Sequence, residues 1–289
     1  MTFLSQTKIV PKVLAVAALA FSLVALSACA STTTSSTPAP SKAAAAAPDL
    51  KTLTSGKFTV ATGQPSYSPW VIGDKPESGK GFEAAVAYAV AAKLGYAKSD
   101  VVWVRTTFDA AIAPGPKSFD VNLQQFSVTA ARKKAVDFSS PYYTTTQALV
   151  TTKSSPAASV TTLAGLKALK IGVAVGTTSY TVVSQDVGTP QVYNSNDDAV
   201  QALKSGQIDA LAVDLPTAFY LADAEVKNGL VTGQFAETTG GDQFAFVLPK
   251  DSALTKPVSD AVDAITKDGQ LAAITKKWLS TTVNVPVFK

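Results

Sequence analysis

The chain is 289 residues long, with 25 Lys and Arg against 21 Asp and Glu, no histidine and one cysteine. Without histidine there is no Ser-His-Asp or Cys-His triad and the commonest metal ligand is missing, which narrows catalysis to carboxylates and lysines. The formal charge is +4 and no basic stripe exists beyond Arg132–Lys134, so nucleic acid is not an expected partner.

In chain order, residues 1–28 read as a targeting segment. Lys8 and Lys12 make a positive start, and "VLAVAALAFSLVALSA" is an apolar run too short for a comfortable membrane span. The run ends in Leu26-Ser27-Ala28-Cys29, which resembles a bacterial lipobox; that resemblance implies cleavage before Cys29 and a lipid on its thiol. Loss of Lys8 and Lys12 takes the charge from +4 to near +2, and the chain beyond Cys29 holds no further cysteine, hence no disulfide. Residues 29–50, mostly Ser, Thr, Ala and Pro, read as a flexible tether. From Lys51 to Lys289 the chain is long for one core and comfortable for two lobes.

Strand and helix then alternate. "GKFTVATG" is a β-branched run closed by glycine. "GFEAAVAYAVAAKLG" puts Phe82, Val86, Ala89, Val90 and Leu94 on one helical face and stops at Gly95. "DVVWVRT" is a second strand. This order predicts an α/β chain with mostly parallel sheets flanked by helices. Two segments echo one another: "TTFDAAIAPGPKSFDVNLQQFSVT" and "NSNDDAVQALKSGQIDALAVDLPT" each run helix, turn, strand, and Asp109 to Asp120 has the spacing of Asp198 to Asp209. The echo suggests two similar lobes and places Ser127 and Asp214 after comparable strands, at the end where open α/β sheets bind ligands.

Between the echoes lie two candidate anion seats. In "SVTAARKKAVDFSSPYY", Thr129 caps an expected helix whose first turn carries Arg132, Lys133 and Lys134. Cations at a helix start oppose the backbone dipole, so the run is either a solvated basic face or the seat of an anion held by one of these cations. In "LKIGVAVGTTSYTVV", a strand reaches Gly176, and Thr177-Thr178 open a helix. They are either an ordinary cap or a second anion seat. Asp214 reads equally as the cap of a helix begun at Pro216, and Tyr67 and Phe108 as core aromatics.

These landmarks, with "TFDAAI", "DALAVD" and "DGQLAAITKKWL", resemble in order and spacing the extracellular solute-binding proteins of family 3, the amino-acid receptors of ABC importers. The resemblance covers nearly all of residues 56 to 280. It implies a two-lobed fold of the periplasmic-binding-protein type (type II), joined by two hinge strands near Ala148–Thr152 and Gln243–Leu248. Lobe I would take residues 51–147 plus 249–289, and lobe II residues 148–248. It implies further that Arg132 clamps a ligand α-carboxylate, helped by Thr177 and Thr178 from the other lobe. Asp214 would take the α-ammonium, Ser127 would add a contact, and Tyr67 and Phe108 would wall the side-chain pocket. A planar guanidinium suits a carboxylate in a way Lys133 or Lys134 cannot.

Such a receptor is no enzyme and carries no cofactor or metal. It is expected as a monomer, lipid-anchored through Cys29 on the outer face of the cell membrane, serving an ABC permease. The alternatives are a dehydratase-like enzyme on the same fold, for which no unpaired acid stands out near the landmarks, and a sensory amino-acid-binding surface domain. The chain departs from the family pattern at "PGP" after Phe108, at Gln124-Gln125 where relatives often carry Ser-Gly, and at Gln64 where relatives for basic amino acids often carry an acid. A pocket of Gln64, Tyr67, Phe108, Gln124 and Gln125 suits a neutral polar side chain, glutamine-like; Glu77 or Asp242, on loops the sequence does not place, would upset that expectation.

Overall fold

The computed structural model of the chain describes residues 50–236, 241–279 and 285–289; the expected signal segment, Cys29 and the tether up to residue 49 lie outside them. The first part of the chain gives β1 (Phe58–Thr62), α1 (Phe82–Lys93), β2 (Val101–Arg105), α2 (Phe108–Ile112), β3 (Val121–Asn122), β4 (Val136–Phe138) and β5 (Tyr143–Thr145). The middle part gives β6 (Gln147–Thr152), α3 (Leu163–Leu166), β7 (Ile171–Ala174), α4 (Thr178–Asp186), β8 (Gln191–Tyr193), α5 (Asn196–Lys204), β9 (Ala210–Asp214), α6 (Leu215–Tyr220) and β10 (Gly229–Gln234). The chain then returns through β11 (Asp242–Phe244), β12 (Val247–Pro249), α7 (Thr255–Lys267) and α8 (Gln270–Trp278).

Two five-stranded sheets form two lobes, in the orders β2-β1-β3-β12-β4 and β10-β6-β9-β7-β8. Neither is mostly parallel, as the strand–helix alternation had suggested. In each, two pairings are parallel and two antiparallel: β12 runs against β3 and β4, and β6 against β9 and β10. The reason is the connection between lobes. β6 and β12 are the first strands the chain lays down after each crossing, and they enter their sheets from the opposite direction to the strands already there or still to come.

The crossing itself is the antiparallel ribbon of β5 and β11, with Asp242 opposite Thr145 and Phe244 opposite Tyr143. Ala148–Thr152, expected as a hinge, sits inside β6 between β10 and β9 of the second sheet, with its apolar side chains buried. The other expected run, Gln243–Leu248, does cover most of β11 but continues into β12 of the first sheet. The end of the chain also differs from the expected lobe I segment 249–289. Val287 bridges Gln234, and Phe288 packs on Phe235 with ring centroids 5.4 Å apart, against the second lobe.

The expected face of α1 is buried, from Phe82 to Leu94, and Gly95 ends the helix with φ +88°. The burial extends further round, to Glu83, Ala84, Ala87 and Ala91, because α7 and α8 cover the side that the first sheet does not. Its entry is fixed by Gly81, at φ +108°, where a Cβ would stand 2.4 Å from the Trp70 carbonyl oxygen. Trp70 is fully buried and meets Phe82, Tyr143 and Phe244 edge-on at 5.6–5.9 Å. Aromatic edge contacts of this kind add about 0.5–1.5 kcal/mol each beyond burial, so this cluster anchors the ribbon to the first lobe. Among the described residues no helix is long and apolar enough to cross a membrane.

Candidate functional site

The C-terminal ends of β1, β3, β7 and β9 point from the two lobes toward one cleft, with a cavity of about 210 Å³. All nine residues singled out from the sequence line it: Gln64, Tyr67, Phe108, Gln125, Ser127 and Arg132 from the first lobe, Thr177, Thr178 and Asp214 from the second.

Arg132 does not begin a regular helix. Arg132–Lys134 form a single 3-10 turn, because Val136–Phe138 are drawn into the first sheet beside β12. The expected cap survives, with the Arg132 amide donating to Thr129 Oγ1 at 3.1 Å. The turn leaves Lys133 and Lys134 exposed and turns Arg132 inward, 9% exposed. Its guanidinium donates through Nη1 to the Ser127 carbonyl (2.8 Å) and through Nη2 across the cleft to the Gly176 carbonyl (2.9 Å). It lies 5.3 Å from the centroid of the Phe108 ring, which stacks on Phe126 at 4.5 Å. Phe108 is thus both a core contact and the wall beneath the cation. Burial draws the Arg132 pKa down, opposed by Asp242, Asp214 and Asp109.

Opposite it, Thr177 caps α4 as expected, accepting from the Tyr180 amide at 3.3 Å. The turn into α4 needs Gly176: φ is +72° there, and a Cβ would stand 2.8 Å from Asp109 Oδ1. Thr178 Oγ1 donates to Asp242 Oδ2 at 2.5 Å and lies 3.4 Å from Ser127 Oγ on the other lobe. A third contact between lobes joins Trp70 Nε1 to Thr217 Oγ1 at 2.9 Å.

Asp214 ends β9 and precedes α6, yet its side chain makes no capping bond. Its Oδ1 accepts from Gln147 Nε2 at 2.6 Å. The carboxyl opens to the cleft but sits deep in the protein, and its pKa is pushed up to about 7 by burial first and by Asp242 next. Tyr67 lies half-buried at the mouth, its phenol raised to about 12 by burial and by Asp197. Gln64 is exposed.

The two adjacent glutamines differ. Gln125 takes φ +52°; its backbone amide donates to Glu83 Oε1 at 2.7 Å, and its side-chain Nε2 donates to Glu83 Oε2. Glu83 also accepts from the Tyr142 hydroxyl at 2.5 Å, and burial raises its pKa to about 7. The Gln125 amide is therefore occupied behind the cleft wall. Gln124 is held by Asn122 Oδ1 at 3.1 Å and sets its own Oε1 beside Gly63.

Some residues of the site had no signature in the sequence. Asp109 lines the cleft, so the lining is not confined to the neutral groups expected around a side chain. It was visible as the helix-opening aspartate of the echo, but only as a structural repeat. Gln147 and Ser179 join the Asp214 network, Gln147 from the start of β6 and Ser179 from the first turn of α4, where the sequence marked only Thr177 and Thr178. Of the two acids the sequence could not place, Glu77 lies exposed on the 3-10 turn Pro76–Ser78, whereas Asp242 reaches Gln147 and Thr178.

The profile of the bacterial extracellular solute-binding proteins, family 3, matches residues 59–281. The chain belongs to this family. Among curated family relatives, the L-cystine-binding protein TcyJ of Escherichia coli K12 is 34% identical over 208 residues, 70% of this chain and 75% of that one. A probable histidine-binding protein of Campylobacter jejuni is 30% identical over 221 residues, 74% and 82% of the two chains. An ancestral arginine-binding protein bound to glutamine superimposes with a TM-score of 0.66 at 31% identity, covering 77% of this chain and 97% of its own. The ancestral amino acid-binding protein AncCDT-1, a precursor of cyclohexadienyl dehydratase, gives 0.65 at 29% identity over 78% and 96%.

Proposed function

We propose that this family member is the extracytoplasmic amino-acid receptor of an ABC importer, closing its two lobes over one free α-amino acid without chemistry of its own. The observation that carries the reading is the convergence of Arg132 and Asp214 on one cleft from opposite lobes. A zwitterion needs its two charges met separately, and placing the partners on different lobes rewards closure. In the described conformation Arg132 spans the cleft to a carbonyl; a ligand α-carboxylate offers that guanidinium a stronger, two-bonded partner. Thr177 and Thr178 bring the start of α4 to the same carboxylate, and Asp214 receives the ammonium. The curated relatives are named for amino acids, which supports the class of ligand and favours a receptor over an enzyme.

Beyond the head group, Tyr67, Phe108, Gln64, Gln124 and Asp109 offer aromatic walls and hydrogen-bond acceptors. They suit a side chain that donates hydrogen bonds, which both an amide and a guanidinium do. The solved ancestral arginine-binding protein is known with glutamine and with arginine bound, so L-glutamine and L-arginine are the first probes. The lone Cys29 supports a lipid anchor on the outer membrane face, with a permease as protein partner and the receptor itself a monomer.

The test is a thermal-shift screen of the free amino acids and cystine, each beside its methyl ester and its N-acetyl derivative. A ligand at a hundred times its dissociation constant adds about 2.7 kcal/mol, a plain shift. One or a few amino acids should stabilise the protein and both blocked forms should fail. No shift with any amino acid, or equal shifts with the blocked forms, would refute the head-group reading.

A further inference from the structure

Asp214 is one of two carboxylates in the same place. Asp242 opens β11 on the ribbon between lobes, where its Oδ2 accepts from Gln147 Nε2 at 2.7 Å and from Thr178 Oγ1 at 2.5 Å. The same Gln147 nitrogen donates to Asp214 Oδ1 at 2.6 Å, while Gln147 Oε1 accepts from Ser179 Oγ. A side-chain amide has two N–H groups, and here one goes to each acid. The pair is thus bridged by a neutral group. The neighbouring cation, Arg132, directs its described bonds to two carbonyls and to neither acid.

We propose that Asp242 makes amino-acid capture a proton exchange: beside this second carboxylate Asp214 keeps a proton in the empty cleft, and the ligand's ammonium displaces it to solvent. This rests on Asp214 being the ammonium's partner. The ammonium keeps its own protons, and Asp214 ends beside a cation where it began with a proton, with Asp242 behind it across Gln147. Like charges this close cannot both ionise cheaply away from water. Every group facing Asp214 bears on the balance. Asp242 from β11 and Glu83 from α1 favour retention of the proton, while the Gln147 bond and Arg132 favour its loss. Tyr143 on β5 and Tyr142 just before it are both raised and stay neutral. The sum holds Asp214 near 7, where an ammonium and a proton compete. Asp242 also ties the start of α4 to the ribbon through Thr178, so it is a positioning residue as well as a charge.

The experiment is calorimetric titration of L-arginine and of L-glutamine into the protein between pH 5.5 and 8, repeated in buffers of different ionisation enthalpy. For an exchange centred near 7, affinity should fall about thirtyfold from pH 8 to 5.5, with about half a proton released per amino acid at pH 7. Asp242→Asn keeps the shape and an acceptor for Thr178 but removes the charge; its affinity should vary less than about threefold over that range, with little proton release. Asp242→Glu should restore the dependence. A purely structural role for Asp242 would weaken binding at every pH alike, and that result overturns the proposal. So does a flat wild-type profile with no buffer-dependent heat. If neither amino acid binds, the head-group reading fails, and carboxyl NMR titration of the empty protein still decides the role of Asp242. A carboxyl that titrates near 7 in the wild type and falls toward the ordinary range in Asp242→Asn supports it; identical titrations overturn it.

Discussion

Replacing Arg132 by alanine separates the proposed clamp from a merely basic surface. In the described conformation the guanidinium is almost wholly buried, spans the lobes and makes one bond to each side of the cleft. Each hydrogen bond to a charged group is worth about 1.5–3 kcal/mol, and a carboxylate bound at two points would use both. Removing the cation leaves a buried carboxylate unpaired, so the expected cost in binding is about 2–5 kcal/mol, or roughly 30-fold to several thousand-fold in Kd. Arg132→Lys should lose most of the same energy, since an ammonium cannot present two parallel donors. Lys133→Ala, an exposed neighbour on the same 3-10 turn, should bind as the wild type does. Calorimetry with whichever amino acid the thermal screen retains gives all three numbers, and a melting curve checks that each variant is folded. Binding by Arg132→Ala within about threefold of wild type, or equal damage from Lys133→Ala, would refute the reasoning.

Three further outcomes can be checked. Glu83 has its carboxyl raised from 4.5 to about 7 in the fold, so its contribution to stability is complete below 4.5 and is lost as pH rises through 7, a change of about 3 kcal/mol; Glu83→Gln should flatten the fall of Tm between pH 5 and 8, and an unaltered slope would contradict it. Thr217→Val removes the acceptor of the buried Trp70 indole N–H only when the lobes meet, so it should weaken ligand binding by about 1–3 kcal/mol with less effect on the unliganded melting temperature; equal losses in both would show that the bond is not tied to closure. Cys29→Ser should leave the protein unlipidated and released while ligand binding is kept, and unchanged detergent-phase partitioning would end the lipid-anchor reading.

What the sequence disclosed was whatever rests on local grammar. The core face of α1, its stop at Gly95, the Thr177 cap and the helix–turn–strand echo each involve residues a few positions apart, and each stands in the structure. The nine candidate residues meet in one cleft because the strand ends that carry them were marked by glycines, caps and aspartates. Long-range demands overrode the rest. The helix expected after Thr129 stops after one turn because β4 is required beside β12, more than a hundred residues later in the chain. The apolar run Ala148–Thr152 reads as a strand but not as an interior one, which depends on β9 and β10. The pairing of Gln125 with Glu83 and of Gln147 with Asp242 joins residues 42 and 95 positions apart, and no local pattern announces it.

The order of strands also dictates when each sheet can be finished. The second sheet draws all its strands from one stretch, Gln147 to Gln234, so it has every partner as soon as that stretch is available. The first sheet does not. Its β4 pairs only with β12, which fills the place between β3 and β4, and α7 and α8, which cover α1, come later still. A chain emerging N-terminus first therefore completes its second sheet before its first, although the second lobe still awaits Val287 and Phe288. Through that interval β3 and β4 present unpaired backbone to one another across a gap one strand wide, the kind of edge that invites pairing with another chain. Residues Val247–Pro249 are the last strand of a sheet begun nearly two hundred residues earlier, and truncation just before them should leave the first sheet open while the second still has all its strands.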